Sequence, residues 1–380
     1  MVKTLIEKWR QWRFSYTPLV ELTISKDRLI HNLRAFQNIN KNIAIAPVLK
    51  SNAYGHGLTL VAKIIDNENL PFIIVDSYHE AMILRNEGIR SVVLIIGYTP
   101  LGNILKNKLR NVVFTIVGYE QLEKISKELV RSTDFHLKID TGMRRQGILL
   151  KDIDKSMGLI RNNKSIRIVG ICSHLADADG KTGNFTDSQI NSWNNLVMEW
   201  KKEFPNTKYF HLSATATIIC SEKITANVAR LGIGLYGIDP TEEGLMPNLK
   251  PVLEMKSVIS GAKTIVKGDR VGYDITFEAP RAMRIATIPA GYYEGVDRRL
   301  SNKGFIKIGN AFCPVIGRVS MNITTIDVTA ISDIKLDTPV TIISSNPSDK
   351  NSFINNAQLA GTIAYELMVH IPQQLRRKIV

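Results

Sequence analysis

Eight short apolar, β-rich runs recur along the first two thirds of the chain. They are Ile45–Lys50, Phe72–Ser77, Val92–Gly97, Val112–Val117, Phe135–Asp140, Ile168–His174, Tyr209–Ala214 and Val228–Gly237. Helix-like stretches lie between most of them, including Thr59–Asp66, His79–Glu87, Tyr119–Leu129 and Thr186–Glu203. Near-continuous apolar strands need cover on both faces, and alternation with helices supplies it in a parallel sheet. Eight such units in about 200 residues predict an α/β chain built on a (β/α)8 TIM-like barrel. A doubly wound open sheet is the other arrangement the alternation allows.

After about Pro251 the pattern changes. Leu253–Ser260, Arg270–Phe277, Met283–Pro289, Phe305–Ile308, Val315–Val328 and Pro339–Ser344 read as strands, with turn residues and no long helix between them. One helix-like segment, Ser352–His370, closes the chain, with Ser352 placed to cap it. The expected organisation is an N-terminal extension over 1–17, a barrel over 18–250 and a mostly β C-terminal domain over 251–380. The first strand of the 18–250 segment is free to pack with the C-terminal domain. In the extension, Leu5, Trp9, Trp12 and Phe14 form a helical stripe that reads as packing against the body.

Composition excludes several classes. Hydrophobic residues are 44% and charged residues 22% of 380, which rules out a disordered or fibrous chain. No apolar run reaches the roughly 18 residues that span a bilayer. Lys3, Glu7, Lys8, Arg10 and Arg13 interrupt the start, which does not read as a secretory signal. Lysine and arginine number 49 against 35 acidic residues, a net charge of +14, but they are scattered. That reads as a solvated basic surface, with neither a nucleic-acid nor a membrane partner expected. Cys172, Cys220 and Cys313 are odd in number and far apart, so neither a disulfide framework nor a metal site is expected. A reducing, cytoplasmic compartment fits that cysteine usage.

In a barrel, chemistry sits at the C-terminal ends of the strands. Strand one ends in Lys50-Ser51-Asn52-Ala53-Tyr54-Gly55-His56-Gly57. A lysine there faces a partly desolvated mouth that favours its neutral amine, which forms a Schiff base or takes a proton; a solvated edge lysine is the plainer alternative. Arg230–Gly237 contains a literal GxGxxG, but Asp239-Pro240 follows where a dinucleotide site needs a helix. Its backbone amides are instead placed to hold a single phosphate. Lys138 and Arg145 near the fifth strand, His174 ending the sixth and His211 on the seventh share the strand-end location. In the β domain, Tyr273 and the Gly291-Tyr292-Tyr293-Glu294-Gly295 run read by themselves as half-buried packing residues.

Taken together, these segments resemble the alanine racemase family, barrel-plus-β-domain enzymes that use pyridoxal 5'-phosphate. The resemblance runs from about Pro18 to the C-terminus, and Val48–Gly57 is its most specific part. It implies that Lys50 carries the cofactor and is one of two catalytic bases, with Tyr273 as the other. Cofactor contacts would come from Tyr54, Thr215, Gly232 and Ile233 toward the phosphate, and from Arg230, supported by His174, toward the pyridine ring. Arg145 would orient the substrate near Tyr292 and Met321, and Lys138 matches a lysine that is often carbamylated. The resemblance also implies a head-to-tail homodimer with shared active sites.

The implied activity is interconversion of L- and D-alanine for peptidoglycan precursor supply. Departures bear on its specificity. Asn322 stands where aspartate is usual, Ala214-Thr215 where Asn-Ser is usual, and Arg144 where glycine is common. Gln373 lies in a C-terminal segment that lacks the tyrosine-containing ending of many members. These changes keep open a broad-specificity racemase acting on serine or basic amino acids. A barrel-type amino-acid decarboxylase wants a catalytic cysteine, and Cys313 in its apolar run is a poor candidate. A non-catalytic carrier of the same cofactor would lack residues 251–380.

Overall fold

The computed structural model describes residues 16–178, 183–218, 221–241, 246 and 248–380. The Leu5–Trp9–Trp12–Phe14 stripe and Cys220 lie outside the described residues. The chain divides into two compact units, Ser25–Val252 and the segment Leu253–Val380 together with residues up to Ile24. Strand β1 (Glu21–Ile24) belongs to the latter.

The Ser25–Val252 unit carries β2 (Ala44–Pro47), β3 (Ile73–Val75), β4 (Val93–Ile95), β5 (Val112–Ile116) and β6 (Thr133–Asp140). It continues with β7 (Ile148–Leu149), β8 (Ile166–Cys172), β9 (Tyr209–His211) and β10 (Val228–Leu231). Parallel pairing runs β3-β4-β5-β6-β8-β9, with the two-residue β7 attached beside β6. β10 pairs in parallel with β2. The ring closes where Leu49 N donates to Ile74 O at 2.7 Å and Asn227 N donates to Phe210 O at 3.1 Å. Eight strands therefore form the (β/α)8 barrel, not an open sheet.

The covering helices start where the sequence supplies caps. Ser25 Oγ accepts from Arg28 N ahead of the helix Lys26–Ile39. Ser77 and Glu80 form a reciprocal capping box on the helix Tyr78–Asn86. β3, β4 and β5 are buried at every position, as strands covered on both faces must be. On the helix Gly183–Glu203, Trp193 and Trp200 are buried, and their indole N–H groups donate to Thr225 O and Thr207 Oγ1.

The other unit is mostly β. Its larger sheet has the order β17 (Ala311–Pro314), β16 (Phe305–Ile308), β19 (Pro339–Ile343), β11 (Leu253–Val258), β1, β20 (Arg376–Ile379). β12 (Gly261–Ile265), β15 (Met283–Ile288) and β18 (Thr324–Asp327) form a second sheet, and β13 (Arg270–Val271) pairs with β14 (Phe277–Glu278). Ile265, Val271, Ala279, Met283, Ile285 and Ile316 pack into one apolar cluster, with Phe277 against it.

Three expectations for this unit need correction. Arg270–Phe277 is not a strand, because Gly272, Asp274 and Ile275 take positive φ and turn the chain through Tyr273. Val315–Val328 is strand only over β18, with Arg318–Ile323 in a loop. Ser352–His370 is two helices, Phe353–Ala360 and Ala364–Val369, separated at Gly361, whose φ of 67° ends the first one. β20 lies in a segment to which no strand is assigned from sequence, and it is held by parallel pairing to β1.

Candidate active site

Lys50 stands directly after β2, where the backbone changes hand. Ser51, Asn52, Ala53 and Tyr54 have φ of 55°, 56°, 53° and 50°, a left-handed turn made without glycine. This conformation costs an L-residue about 1–2 kcal/mol, so specific bonds must hold it. Ser51 N donates to Glu80 Oε1 at 2.7 Å, and Leu58 N donates to Asn52 Oδ1 at 2.9 Å. Tyr236 Oη donates to Val48 O at 2.8 Å, and its ring centroid lies 5.0 Å from that of Tyr54.

Tyr54 is buried, and burial together with Asp76 pushes its phenol up to about 12. It therefore remains a neutral donor. A Cβ built on Gly232 would lie 3.1 Å from Tyr54 Oη and 3.6 Å from Thr215 Oγ1. Two hydroxyls thus converge on a residue of the turn that has no side chain. Gly232 N and Gly234 N both donate to Thr215 Oγ1, at 3.0 and 3.4 Å. Ile233 opens the short 3-10 turn Ile233–Tyr236, so no helix of dinucleotide-binding type follows the GxGxxG segment. A glycine flanked by hydroxyls and backbone amides is the donor set a phosphate requires.

Arg230, on β10, is buried. Its Nη1 donates to His211 Nδ1 and His211 O, and its Nη2 to Ser173 O, Leu212 O and His174 Nδ1, all between 2.8 and 3.0 Å. His211 Nε2 in turn meets His136 Nδ1 at 2.7 Å. Burial, then the Arg230 charge, holds His136 and His174 down to about 3. Burial, then His136 and Arg230, lowers His211 as well. All three rings are neutral at pH 7. Among the described residues no carboxylate forms an ion pair with Arg230, so its charge remains available to a ligand.

Lys138 is buried on β6 with Nζ donating to Gln146 Oε1 at 3.1 Å. Burial lowers its pKa, opposed by Cys172 and reinforced by Arg230, Arg145 and Lys50. His174 feels Arg230, Arg145, Lys138 and Lys50. The same charges acting on both groups place Lys50, Lys138, Arg145, His174 and Arg230 in one electrostatic cluster. Arg145 is exposed, just beyond Arg144, whose φ is 57° and whose N donates to Asp140 Oδ1.

Tyr273, Tyr292 and Met321 belong to the other unit, where they are 69%, 43% and 55% exposed. Exposure replaces the half-buried packing role expected of these tyrosines. Tyr292 N donates to Ser320 O and Tyr293 N to Met321 O, which ties the two turns together. Asn322 Nδ2 donates to Glu294 Oε1 at 2.7 Å, and Glu294 Oε2 accepts from Gly291 N.

Sequence reasoning singled out Lys50, Tyr54, Thr215, Arg230, Gly232 and His174, and the structure gathers them in one unit. It passed over His136, Glu80 and Tyr236. His136 lies two residues before Lys138 on one strand, so both side chains share a face; that periodicity was the available signal. Glu80 and Tyr236 carried no signal beyond a helix cap and a core aromatic.

Residues 24–240 match the N-terminal domain of alanine racemase, and residues 252–379 match its C-terminal domain. The chain belongs to the alanine racemase family. The alanine racemase of Sorangium cellulosum is 32% identical over 364 residues, 92% of this chain and 96% of that one. That of Syntrophobacter fumaroxidans is 33% identical over 348 residues, 90% and 92% of the two chains. Among solved structures, the Bacillus anthracis alanine racemase with bound L-Ala-P superposes with a TM-score of 0.87 at 27% identity, covering 96% of each chain. The Streptomyces lavendulae enzyme, at 23% identity, shares the fold with a TM-score of 0.90 over 96% of this chain and 98% of its own.

Proposed function

We propose that this chain interconverts L- and D-alanine with pyridoxal 5'-phosphate as its cofactor. The observation that carries the reading is Lys50 in one electrostatic cluster with Arg230, in a unit that also holds a glycine-backed hydroxyl pair suited to a phosphate. Family membership over both halves of the chain supports it. Tyr54, Thr215, Gly232 and Ile233 would hold the phosphate, Arg230 would bind the pyridine end, and His174 would steady Arg230. Bound through Lys50, the cofactor supplies the electron-withdrawing system that makes the substrate α-proton acidic.

Racemisation removes the α-proton from one face of the substrate and returns one to the other. Two bases meet that need most simply. The Lys50 amine serves one face and the Tyr273 phenol the other. Burial lowers the Arg230 guanidinium from its ordinary value, opposed by Cys172, but an arginine is not deprotonated in proteins, and its neutral histidine neighbours take no proton from it. Arg145 holds the substrate carboxylate, with Tyr292 and Met321 nearby. Lys138, with its neutral form favoured by burial, is suited to add carbon dioxide at Nζ with release of one proton to solvent, and the resulting carbamate anion would offset the Arg145 charge.

Tyr273 is exposed on its own unit, which fits a head-to-tail homodimer in which it serves the partner's barrel. Among the described residues no helix is long and apolar enough to cross a membrane. We place the enzyme in the cytoplasm, supplying D-alanine for peptidoglycan precursors. The test is racemisation of L-alanine, L-serine and L-lysine by the purified chain with added cofactor, followed by chiral chromatography. Preferential alanine turnover is expected. Equal or faster turnover of the larger substrates would make it a broad racemase, and no turnover of any would overturn the reading.

A further inference from the structure

The left-handed turn after Lys50 has an external support that the chemistry above does not use. Its first N–H, on Ser51, donates to Glu80 Oε1 at 2.7 Å. The other carboxylate oxygen accepts from Asp76 N at 2.8 Å and Ser77 N at 3.3 Å. Glu80 N in turn donates to Ser77 Oγ at 3.2 Å. One carboxylate therefore joins the end of β3, the first turn of the helix Tyr78–Asn86 and the residue next to Lys50. One residue further on, Asn52 Oδ1 accepts from Leu58 N, a second bond to the same turn. Four non-glycine residues in left-handed conformation relax elsewhere unless the surroundings over-determine them. At the Lys50 end, the Glu80 carboxylate is the charged group that does so.

We infer that Glu80 is a positioning residue for Lys50: by accepting from Ser51 N it holds the left-handed turn that aims the lysine amine. This rests on the cofactor reading of Lys50. Ionised Glu80 accepts all three N–H groups at once. An amide in its place presents a donor to at least one of them and breaks that contact. A capping box seen on its own would account for the bonds to Ser77, but it leaves the bond to Ser51, 29 residues earlier, without a purpose.

The test separates a cap from a positioner. Wild-type full chain, Glu80→Ala, Glu80→Gln, Ser51→Gly and the Ser51→Gly/Glu80→Ala double variant are titrated with pyridoxal phosphate. Two signals are read: the visible absorbance of bound cofactor, and borohydride fixation of the cofactor on Lys50, by peptide mass. Both Glu80 variants are expected to bind cofactor on the order of ten-fold more weakly, the loss of one charge-assisted hydrogen bond. Ser51→Gly alone stays near wild type. In the double variant it recovers much of the loss, because glycine takes positive φ without penalty.

Wild-type affinity in both Glu80 variants, or a loss that Ser51→Gly leaves untouched while thermal stability falls, would overturn the inference. If Glu80→Ala does not fold, Glu80→Gln, with Ser51→Gly added to it, carries the same comparison. If wild type itself neither gains the absorbance nor fixes cofactor on Lys50, the cofactor reading has failed, not this step.

Discussion

Arg230 Nη1 donates to His211 Nδ1 at 2.9 Å, and that bond determines where the protons of His211 and His136 reside. An arginine only donates, so His211 Nδ1 must present a lone pair. The remaining His211 proton then sits on Nε2 and is donated to His136 Nδ1. His136 carries its own proton on Nε2, and His174 accepts from Arg230 through Nδ1. A buried cation is thus surrounded by neutral acceptors, and its charge is not cancelled by an acid.

Stability should depend on pH through these rings. His136 and His174 titrate near 3 when folded and near 6.5 when unfolded. Between those values the unfolded chain binds protons that the folded chain refuses. Stability is therefore full above about pH 6.5 and falls as pH drops toward 3. The slope is about 1.4 kcal/mol per pH unit for each histidine. Urea denaturation at intervals from pH 7.5 to 4.5 measures it, and a flat profile would contradict the neutral network.

Thr215→Val removes the hydroxyl that accepts from Gly232 N and faces the Tyr54 phenol across that glycine. Cofactor affinity should fall about ten-fold, while Thr215→Ser retains most of it. Gly232→Ala, with its methyl 3.1 Å from Tyr54 Oη, should weaken binding at least as much without unfolding the chain. Absorbance titration with pyridoxal phosphate reads all three variants.

Tyr273→Phe keeps the ring and removes the acid–base group. Racemisation should drop by about 10²–10⁴-fold. Exchange of the α-hydrogen of one alanine enantiomer with deuterated solvent should persist through Lys50. Mass spectrometry of each enantiomer after incubation in heavy water shows this directly. Racemisation near the wild-type rate would remove Tyr273 from the reaction.

Asn322→Asp places a second carboxylate against Glu294 Oε1, where an amide now donates at 2.7 Å. Like charges replace a hydrogen bond on a solvated surface, so the loss is about 1 kcal/mol at neutral pH. A double variant, Asn322→Asp with Glu294→Gln, should recover the stability; parallel chemical melts of the two test this.

The barrel was legible because its strands are buried on both faces, which writes continuous apolar runs into the chain. The candidate lysine was legible because the local segment Val48–Gly57 resembles a motif of the family. The β domain was read less well. Tyr273 sits in a turn built from three positive-φ residues, two of which, Asp274 and Ile275, are not glycine, and residue type does not announce that. β20 was missed because its pairing partner β1 lies more than 350 residues earlier in the chain.

Residue pattern by itself determined the alternation of strands and helices, the lysine at a strand end and the absence of a dinucleotide helix after Gly237. These are local properties, set by periodicity, side-chain type and near neighbours. Tertiary structure alone decided that His136, His211 and Arg230, from three different strands, form one proton-ordered chain, and that Glu80 reaches back to Ser51. Both follow from which side chains a closed ring of parallel strands turns inward and how far each one reaches. No single segment of sequence contains that information.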